Sequence, residues 1–355
     1  MNIYDMKVLV TGGAGFVGSH TCLALLEKGY EVVVIDSFVN GYVKSLERVV
    51  EILRLNKTIE NINIQIINAD IRDEKALDKI FLDYQISGKP IQSVIHFAGL
   101  KSVNESVSDP LKYWDVNVKG SINLLRVMNR YKCRKIVFSS SATIYGNSAD
   151  IPLKENSEIN PINTYGRTKV VIEELLNDIY VGYPEEWEIA CLRYFNPIGA
   201  HPTGIIGESP KGIPDNIFPY ITQVASATLN KLTIFGNDWP TPDGTCIRDY
   251  IHIMDVAEGH IAALNYLNKS KNKIVKLNLG TGIGTSVLEL INTFQSVNNL
   301  KIPVEFSKRR KGDSSIVIAD NSLALETLGW TPKRILEDMC IDGWKWQSLN
   351  PQGYK

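Results

Sequence analysis

The stretch Lys7-Val-Leu-Val-Thr-Gly-Gly-Ala-Gly-Phe-Val-Gly18 decides how this chain is read. KVLVTG (7–12) is a short β-branched run and predicts a strand; HTCLALLEKG (20–29) predicts a helix closed by Gly29. Between them the glycines satisfy G-x-x-G-x-x-G and, counted from Gly13, G-x-G-x-x-G. Glycine is needed where the chain turns tightly, where backbone approaches a pyrophosphate, and where helix packs on strand. The helix N-terminus that follows offers unpaired N–H groups and a positive dipole end to that phosphate. Gly12, Gly15 and Gly18 are therefore candidate pyrophosphate contacts. Asp36 ends the next run, EVVVID (31–36), where a carboxylate accepts from both adenosine ribose hydroxyls and repels a 2′-phosphate. No Arg stands at Ser37 or Phe38, so NAD is expected rather than NADP.

Working outward, INIQIINAD (62–70), SVIHFAG (93–99), KIVFSSS (135–141) and EIACLRYF (188–195) predict further strands. Helical patterns lie between them: a polar, partly helical stretch to about 60, then about 73–84, roughly 110–131, and 161–180. Strands apolar on both faces and separated by helices indicate a parallel sheet covered on both sides, a Rossmann-type doubly wound α/β fold. After Asn196, Pro and Gly crowd 197–214 and 236–244, with short helices expected at about 216–228, 255–267 and 286–297. This divides the chain into an NAD-binding domain, 1–195, and a smaller loop-rich substrate domain, 196–355. The strand near 275–280 is a candidate to return to the main sheet.

The whole chain has 355 residues, 38 Lys and Arg against 39 Asp and Glu, 44% hydrophobic and 22% charged. A formal net charge of −1 gives no electrostatic reason to expect nucleic acid, and Lys308–Lys311 is too short for a polyanion-binding tail. Without a signal-peptide pattern at the start or a long apolar run, no membrane association is expected and a cytoplasmic protein is. Five scattered cysteines with no CxxC or Cys/His spacing suggest buried thiols, with neither disulfides nor a metal site.

The chemistry is written in Tyr165-Gly166-Arg167-Thr168-Lys169. A spacing of four places phenol and ammonium on one helical face. A free tyrosine is a poor base at neutral pH; a nearby ammonium and a positive nicotinamide ring favour its phenolate. SSSAT (139–143) follows the fifth strand, and Ser141 is placed to hydrogen-bond the oxygen that Tyr165 deprotonates. With the glycine turn, this set points to alcohol oxidation by hydride transfer to NAD. Asp70, after the third strand, reads equally as an adenine acceptor or a helix N-cap. Arg248 and Arg310 suit a diphosphate because guanidinium forks pair its oxygens, although each taken alone reads more readily as a surface charge. His96, His201 and His252 are read as structural, and Trp330, Trp344 and Trp346 as packing.

Across VLVTGGAGFVGSHT, HFAGLKSVNESV, FSSSATIYG, YGRTK, LRYFNPIGAHP, GIPDNIFPYI, FGNDWPTPDGTCIRDYIH and WKWQSLNPQGY, the chain resembles the extended short-chain dehydrogenase/reductase family, and within it the UDP-glucose 4-epimerases. The match covers nearly the whole chain in order, with a longer segment around 42–63. The resemblance implies that Tyr165 takes the proton from the sugar 4-hydroxyl while the C4 hydride passes to NAD. The 4-keto sugar turns about its link to the diphosphate, and hydride returns to its other face, giving the inverted alcohol. Net redox is zero, so NAD stays bound.

The resemblance also places residues. Phe16 and Val17 lie at the pyrophosphate turn. Asp36, Ser37, Asn40 and Gly41 hold the adenosine ribose; Asp70 and Ile71 match the adenine site. Phe97, Ala98, Gly99 and Lys101 run beneath the cofactor, with Lys101 at the phosphates. Ser141, Tyr165 and Lys169 touch cofactor, Ser141, Tyr165 and Lys101 also substrate, and Phe195 packs at the nicotinamide. Asn196, Asn216 and Ile217 meet the diphosphate region, Thr233, Ile234 and Phe235 the uracil, Arg248 and Arg310 the diphosphate, and Asp313 the uridine ribose. A homodimer pairing the 110–131 and 163–182 helices is implied. Val317 occupies a position where bulk excludes an N-acetyl group, so activity on UDP-N-acetylhexosamines is an additional expectation. A sugar-nucleotide dehydratase requires an acid pair after SSSAT, where Ile144-Tyr145-Gly146 stands instead; an NAD-sensing protein without chemistry has no use for the intact Ser141, Tyr165 and Lys169.

Overall fold

The computed structural model describes every residue except 1–5, 57–61, 184–185, 213, 215, 270–272 and 311. Part of the 42–63 segment, two positions of GIPDNIFPYI and Lys311 of the basic cluster thus lie outside the described residues.

The first part of the chain alternates strand and helix as β1 (Lys7–Thr11), α1 (Phe16–Glu27), β2 (Glu31–Asp36), α2 (Val43–Asn56), β3 (Ile64–Asn68), α3 (Glu74–Ile86) and β4 (Ser93–His96). It continues through α4 (Val103–Ser108), α5 (Pro110–Tyr113), α6 (Gly120–Arg130), β5 (Lys135–Ser141), α7 (Thr164–Gly182) and β6 (Glu188–Tyr194). After Asn196 come β7 (Asn196–Ile198), α8 (Ile217–Ala225), β8 (Leu232–Phe235), β9 (Ile247–Arg248), β10 (Tyr250–His252), α9 (Ile253–Lys269) and β11 (Lys273–Leu279). The remainder is β12 (Thr285–Ser286), α10 (Val287–Asn298), β13 (Val304–Ser307), β14 (Ile316–Val317), α11 (Ser322–Leu328) and α12 (Leu336–Leu349).

Seven strands form one sheet in the order β11-β6-β5-β4-β1-β2-β3. Every pairing in it is parallel. Such a sheet must be covered on both faces, and two apolar clusters do this. One joins β1, β2, α1, α2 and α9 through Val8, Val34, Leu23, Leu46 and Leu264. The other joins β4, β5, α3, α6 and α7 through Val94, Phe138, Phe81, Leu124 and Leu176. A third core, with Phe218, Ile234, Leu290, Phe294 and Met339, holds the later elements together. All strand C-termini of the sheet open on one edge, where a doubly wound fold carries its ligands.

Several boundaries differ from the sequence reading. The first helix begins at Phe16 rather than near His20, directly after Gly15. The helix expected over roughly 110–131 is interrupted. Asp109 caps α5, accepting from Lys112 N at 3.3 Å, and Trp114–Lys119 forms a wider π-type turn before α6. That turn carries Asn117 inward to the site described below. The later helices are longer than expected at α9, which packs on α1 and completes the main core. No described helix is long and apolar enough to cross a membrane.

Candidate active site

The glycine turn is built from contacts that a side chain would destroy. Gly12 has φ +71°, and a Cβ there would stand 2.7 Å from Ala98 N. At Gly18 a Cβ would stand 2.3 Å from the Gly12 carbonyl oxygen. Backbone therefore lies on backbone, and the start of α1 is left without any side-chain cap or acidic residue. Free N–H groups at such a helix start suit a pyrophosphate.

Asp36 reaches across to this turn: its Oδ2 accepts from Ala14 N at 2.9 Å and its Oδ1 from Phe38 N at 2.7 Å. Burial pushes its carboxyl above the usual range, while those two N–H groups and the Lys211 ammonium pull it back. Each oxygen still has lone-pair capacity for a ribose hydroxyl. The 37–41 turn, with Ser37 and Asn40 exposed, presses on the same place, since a Cβ on Gly41 would meet Ala14 Cβ at 2.8 Å. Glycine-turn backbone, a vacant helix start and a carboxylate at the end of β2 together fit an adenine dinucleotide.

Asp70 is not a helix cap. Asp73 caps α3 by accepting from Ala76 N at 3.0 Å, while Asp70 accepts from Arg72 N at 2.8 Å and pairs with its guanidinium at 2.7 Å. Arg72 holds the Asp70 carboxyl below its ordinary range. Ile71 is buried against Gly120.

Phe97–Lys101 follows β4 beneath the glycine turn, with Ala98 N donating to Thr11 Oγ1 at 3.3 Å. Asn117 pins this loop: its Oδ1 accepts from Leu100 N at 2.7 Å, and its Nδ2 donates to Leu100 O and to Thr168 Oγ1, both at 3.1 Å. A Cβ on Gly99 would stand 3.1 Å from Asn117 Oδ1. Lys101 reaches Glu208 at 2.9 Å. His96 bridges Thr11 at 2.7 Å and Ser121 at 2.9 Å, and burial drives its pKa down to about 3, so it is a neutral packing group.

Ser141, Tyr165 and Lys169 meet where β5 ends and α7 begins. Asn163 starts the helix by accepting from Gly166 N at 2.8 Å. That places Tyr165 in the first turn and Lys169 one turn on. The Lys169 ammonium donates to Ser139 O at 2.7 Å and lies 5.7 Å from the Tyr165 ring centre. Burial lowers Lys169 to about 8. Burial raises the Tyr165 phenol; the Ser141 hydroxyl and the Lys101 charge work the other way. Phe195 is buried at the end of β6, in a cluster with Ile144, Tyr145 and, at its margin, Ala142 and Val317.

The proposed substrate residues come from distant segments. Asn196 N donates to Asp249 O at 3.0 Å, and Asn216 precedes α8, whose Ile217 is partly buried on the third core. In β8 the alternation turns Ile234 into that core, leaving Thr233 and the exposed Phe235 on the other face. Thr233 donates to Glu305 at 2.9 Å. The Arg310 guanidinium lies 4.8 Å over the Phe235 ring and 3.1 Å from Asp313. Arg248 stands opposite Val317 in the β9–β14 pairing, and Arg248, Arg310 and Asp313 all act electrostatically on the Cys246 thiol. The five cysteines are buried and free. Trp344 packs edge-on against Phe294, and Trp346 lies 4.7 Å from Tyr354, so these rings are packing groups.

Sequence reasoning overlooked Asn117, Glu173 and Arg193. Arg193, a charge inside the apolar run IACLRYF, is a signal that could have found the last.

Residues 9–342 match the family model described as GDP-mannose 4,6 dehydratase. The chain is 48% identical over 350 residues to a UDP-glucose 4-epimerase of Bacillus subtilis, covering 99% of both chains. It is 47% identical to one from Dictyostelium discoideum, covering 100% of this chain and 99% of that protein. A UDP-glucose 4-epimerase structure from Stenotrophomonas maltophila, with bound NAD and formylated UDP-arabinopyranose, superposes with TM-score 0.91 at 45% identity, covering 98% of this chain and 99% of that one. One from Bifidobacterium longum, in complex with NAD+ and UDP, gives TM-score 0.90 at 41% identity, covering 98% and 100%. Matched end to end by these proteins, on the sheet and glycine turn described above, the chain belongs to the UDP-glucose 4-epimerase family.

Proposed function

We infer that the protein interconverts UDP-glucose and UDP-galactose, with NAD as its cofactor. One observation carries the reading: Ser141, Tyr165 and Lys169 converge beside the glycine turn, at the strand ends where the fold binds ligands. NAD, when bound, supplies a reversible hydride acceptor. Tyr165 Oη accepts the proton from the hexose 4-hydroxyl and later returns it. Ser141 hydrogen-bonds the same oxygen, and the Lys169 ammonium favours the phenolate. Phe195 packs where the nicotinamide would lie. Between the two proton transfers, the 4-keto sugar turns about its bond to the diphosphate and presents its opposite face. Arg248 and Arg310 anchor the diphosphate so that only the sugar moves; Phe235, Thr233 and Asp313 suit the uridine. UDP-galactose deuterated at C4 tests this directly. Deuterium retained at C4 of the UDP-glucose product is expected, and its exchange with solvent contradicts the hydride route.

Val317 favours a wider substrate range. It is half-buried and packed on the cluster of Phe195 with Ala142, and is smaller than a residue that would close on a 2-N-acetyl group. The test is kcat/KM for UDP-N-acetylgalactosamine; a value thousands-fold below that for UDP-galactose rejects this second activity.

A second copy of the chain is the expected partner. Val107, Leu111, Trp114 and Val181 are exposed apolar side chains on α4, α5, the π-type turn and α7, which pack side by side. Buried, unbridged thiols also suit a reducing compartment such as the cytoplasm.

A further inference from the structure

Behind Tyr165 and Lys169 lies a buried ionic cluster to which the chemistry above gives no task. Glu173 follows Lys169 by one helical turn, and its side chain and that of Arg193 on β6 are almost wholly enclosed. The Arg193 fork grips the carboxylate at 3.0 Å through Nε and 2.6 Å through Nη2. Ser140, next to Ser141, donates to the same carboxylate at 2.5 Å, and Lys276 of β11 stands 3.7 Å away. Arg193 is held in turn by Tyr145 at 3.0 Å and the Glu155 carbonyl at 2.8 Å, and Tyr145 donates to Asn278 at 2.7 Å. Four elements, α7, β5, β6 and β11, are tied at one point.

A buried ion pair is seldom a net source of stability, because desolvation of both charges offsets their attraction. This one is placed where it serves the site. The cluster fixes the end of β5 through Ser140, and the neighbouring Ser139 carbonyl is what Lys169 is bonded to. Within it, Glu173 also places a carboxylate one helical turn from Lys169. From other elements, the neutral His96 of β4 feels the Lys169 charge and Phe138 of β5 presents its ring at 4.9 Å. Glu173 opposes the burial that lowers Lys169 to about 8.

We propose that Glu173, locked by Arg193, is a positioning residue for the epimerisation: it is the counter-charge that keeps Lys169 a fixed ammonium beside Tyr165. The proposal rests on the reading of Tyr165 and Lys169 given above. Loss of Glu173 lets Lys169 shed its proton at lower pH, and the phenolate loses its partner.

The experiment compares parent, Glu173→Asp, Glu173→Gln and the double variant Glu173→Gln/Arg193→Met. Each is measured for kcat and KM on UDP-galactose from pH 6 to 10, for NAD content, and for melting temperature of the holoenzyme. Glu173→Gln is expected to lower kcat roughly 10- to 100-fold near pH 7.5. KM should stay within about threefold, and the alkaline limb should move down by about one pH unit. Glu173→Asp, which keeps the charge, recovers most of both. The double variant strands no buried charge, so its melting temperature recovers while kcat and the limb stay displaced. Parental kcat and pH profile in the Gln or double variant, whichever folds, overturn the proposal. A parent that does not turn over UDP-galactose overturns the reading of the site instead.

Discussion

The two halves of the site are made in opposite ways. The dinucleotide half is local: β1, the glycine turn, α1 and Asp36 lie within thirty positions of one another, and the contacts that matter are backbone on backbone. The proposed sugar-nucleotide half draws its side chains from β7, α8, β8, β9 and β14, short pieces joined by long loops. A ligand site built of backbone tolerates almost no substitution, because an added Cβ has nowhere to go. One built of side chains on separate segments is graded, each residue contributing its own share of affinity or specificity.

Substitutions at the two halves should therefore differ in kind. The largest effect is expected at Gly18→Val, whose Cβ would stand 2.3 Å from the Gly12 carbonyl oxygen. The protein should purify without NAD and show no turnover; retention of NAD and activity would break the comparison. Next comes Tyr165→Phe, which keeps the ring but removes the proton acceptor. A kcat loss of about 10³-fold is expected, with NAD content unchanged. A loss below tenfold would remove Tyr165 from its role.

In the other half, Arg310→Met should raise KM for UDP-galactose by about tenfold, the worth of one charge-assisted contact, with little change in kcat. Stability offers a comparable effect. Burial holds His20 of α1 and His96 of β4 near pKa about 3 and His260 of α9 near about 4, against an ordinary 6.5. Below pH 6.5 the unfolded chain binds protons that the folded one refuses, so stability is present above that pH and lost as it falls. Each imidazole contributes a slope of about 1.4 kcal/mol per pH unit. Chemical denaturation at pH 6.5 and 5.0 should show the fall; flat stability across that window would refute it. The smallest effect is expected from Val317→Tyr, which should depress kcat/KM for UDP-N-acetylgalactosamine and leave UDP-galactose within about threefold, as a steric change in one pocket does.

The same division explains what was legible in the sequence. Glycine spacing and the period of apolar runs are local signals, so the parallel sheet and the turn could be read directly. The meeting of Ser141, Tyr165 and Lys169 was legible because Tyr165 and Lys169 share one helix face and Ser141 ends an apolar strand. The break between α5 and α6 was not, because nothing local to Trp114–Lys119 shows that Asn117 is drawn inward to Leu100 and Thr168. Asp70 stands between two readings, adenine acceptor and helix cap; Asp73 holds the cap position and Arg72 pairs with Asp70. The two-residue strands β9, β12 and β14 carry no periodicity at all. They exist because Arg248 pairs with both Thr285 and Val317, far along the chain.

The most direct test of the account is turnover by the protein as purified. UDP-galactose is added with no NAD, and the sugar is followed by proton NMR. Appearance of UDP-glucose up to a constant ratio, with no net accumulation of oxidised or reduced product, is the predicted result. No UDP-glucose, even after NAD is supplied to a folded sample, would contradict the epimerase reading.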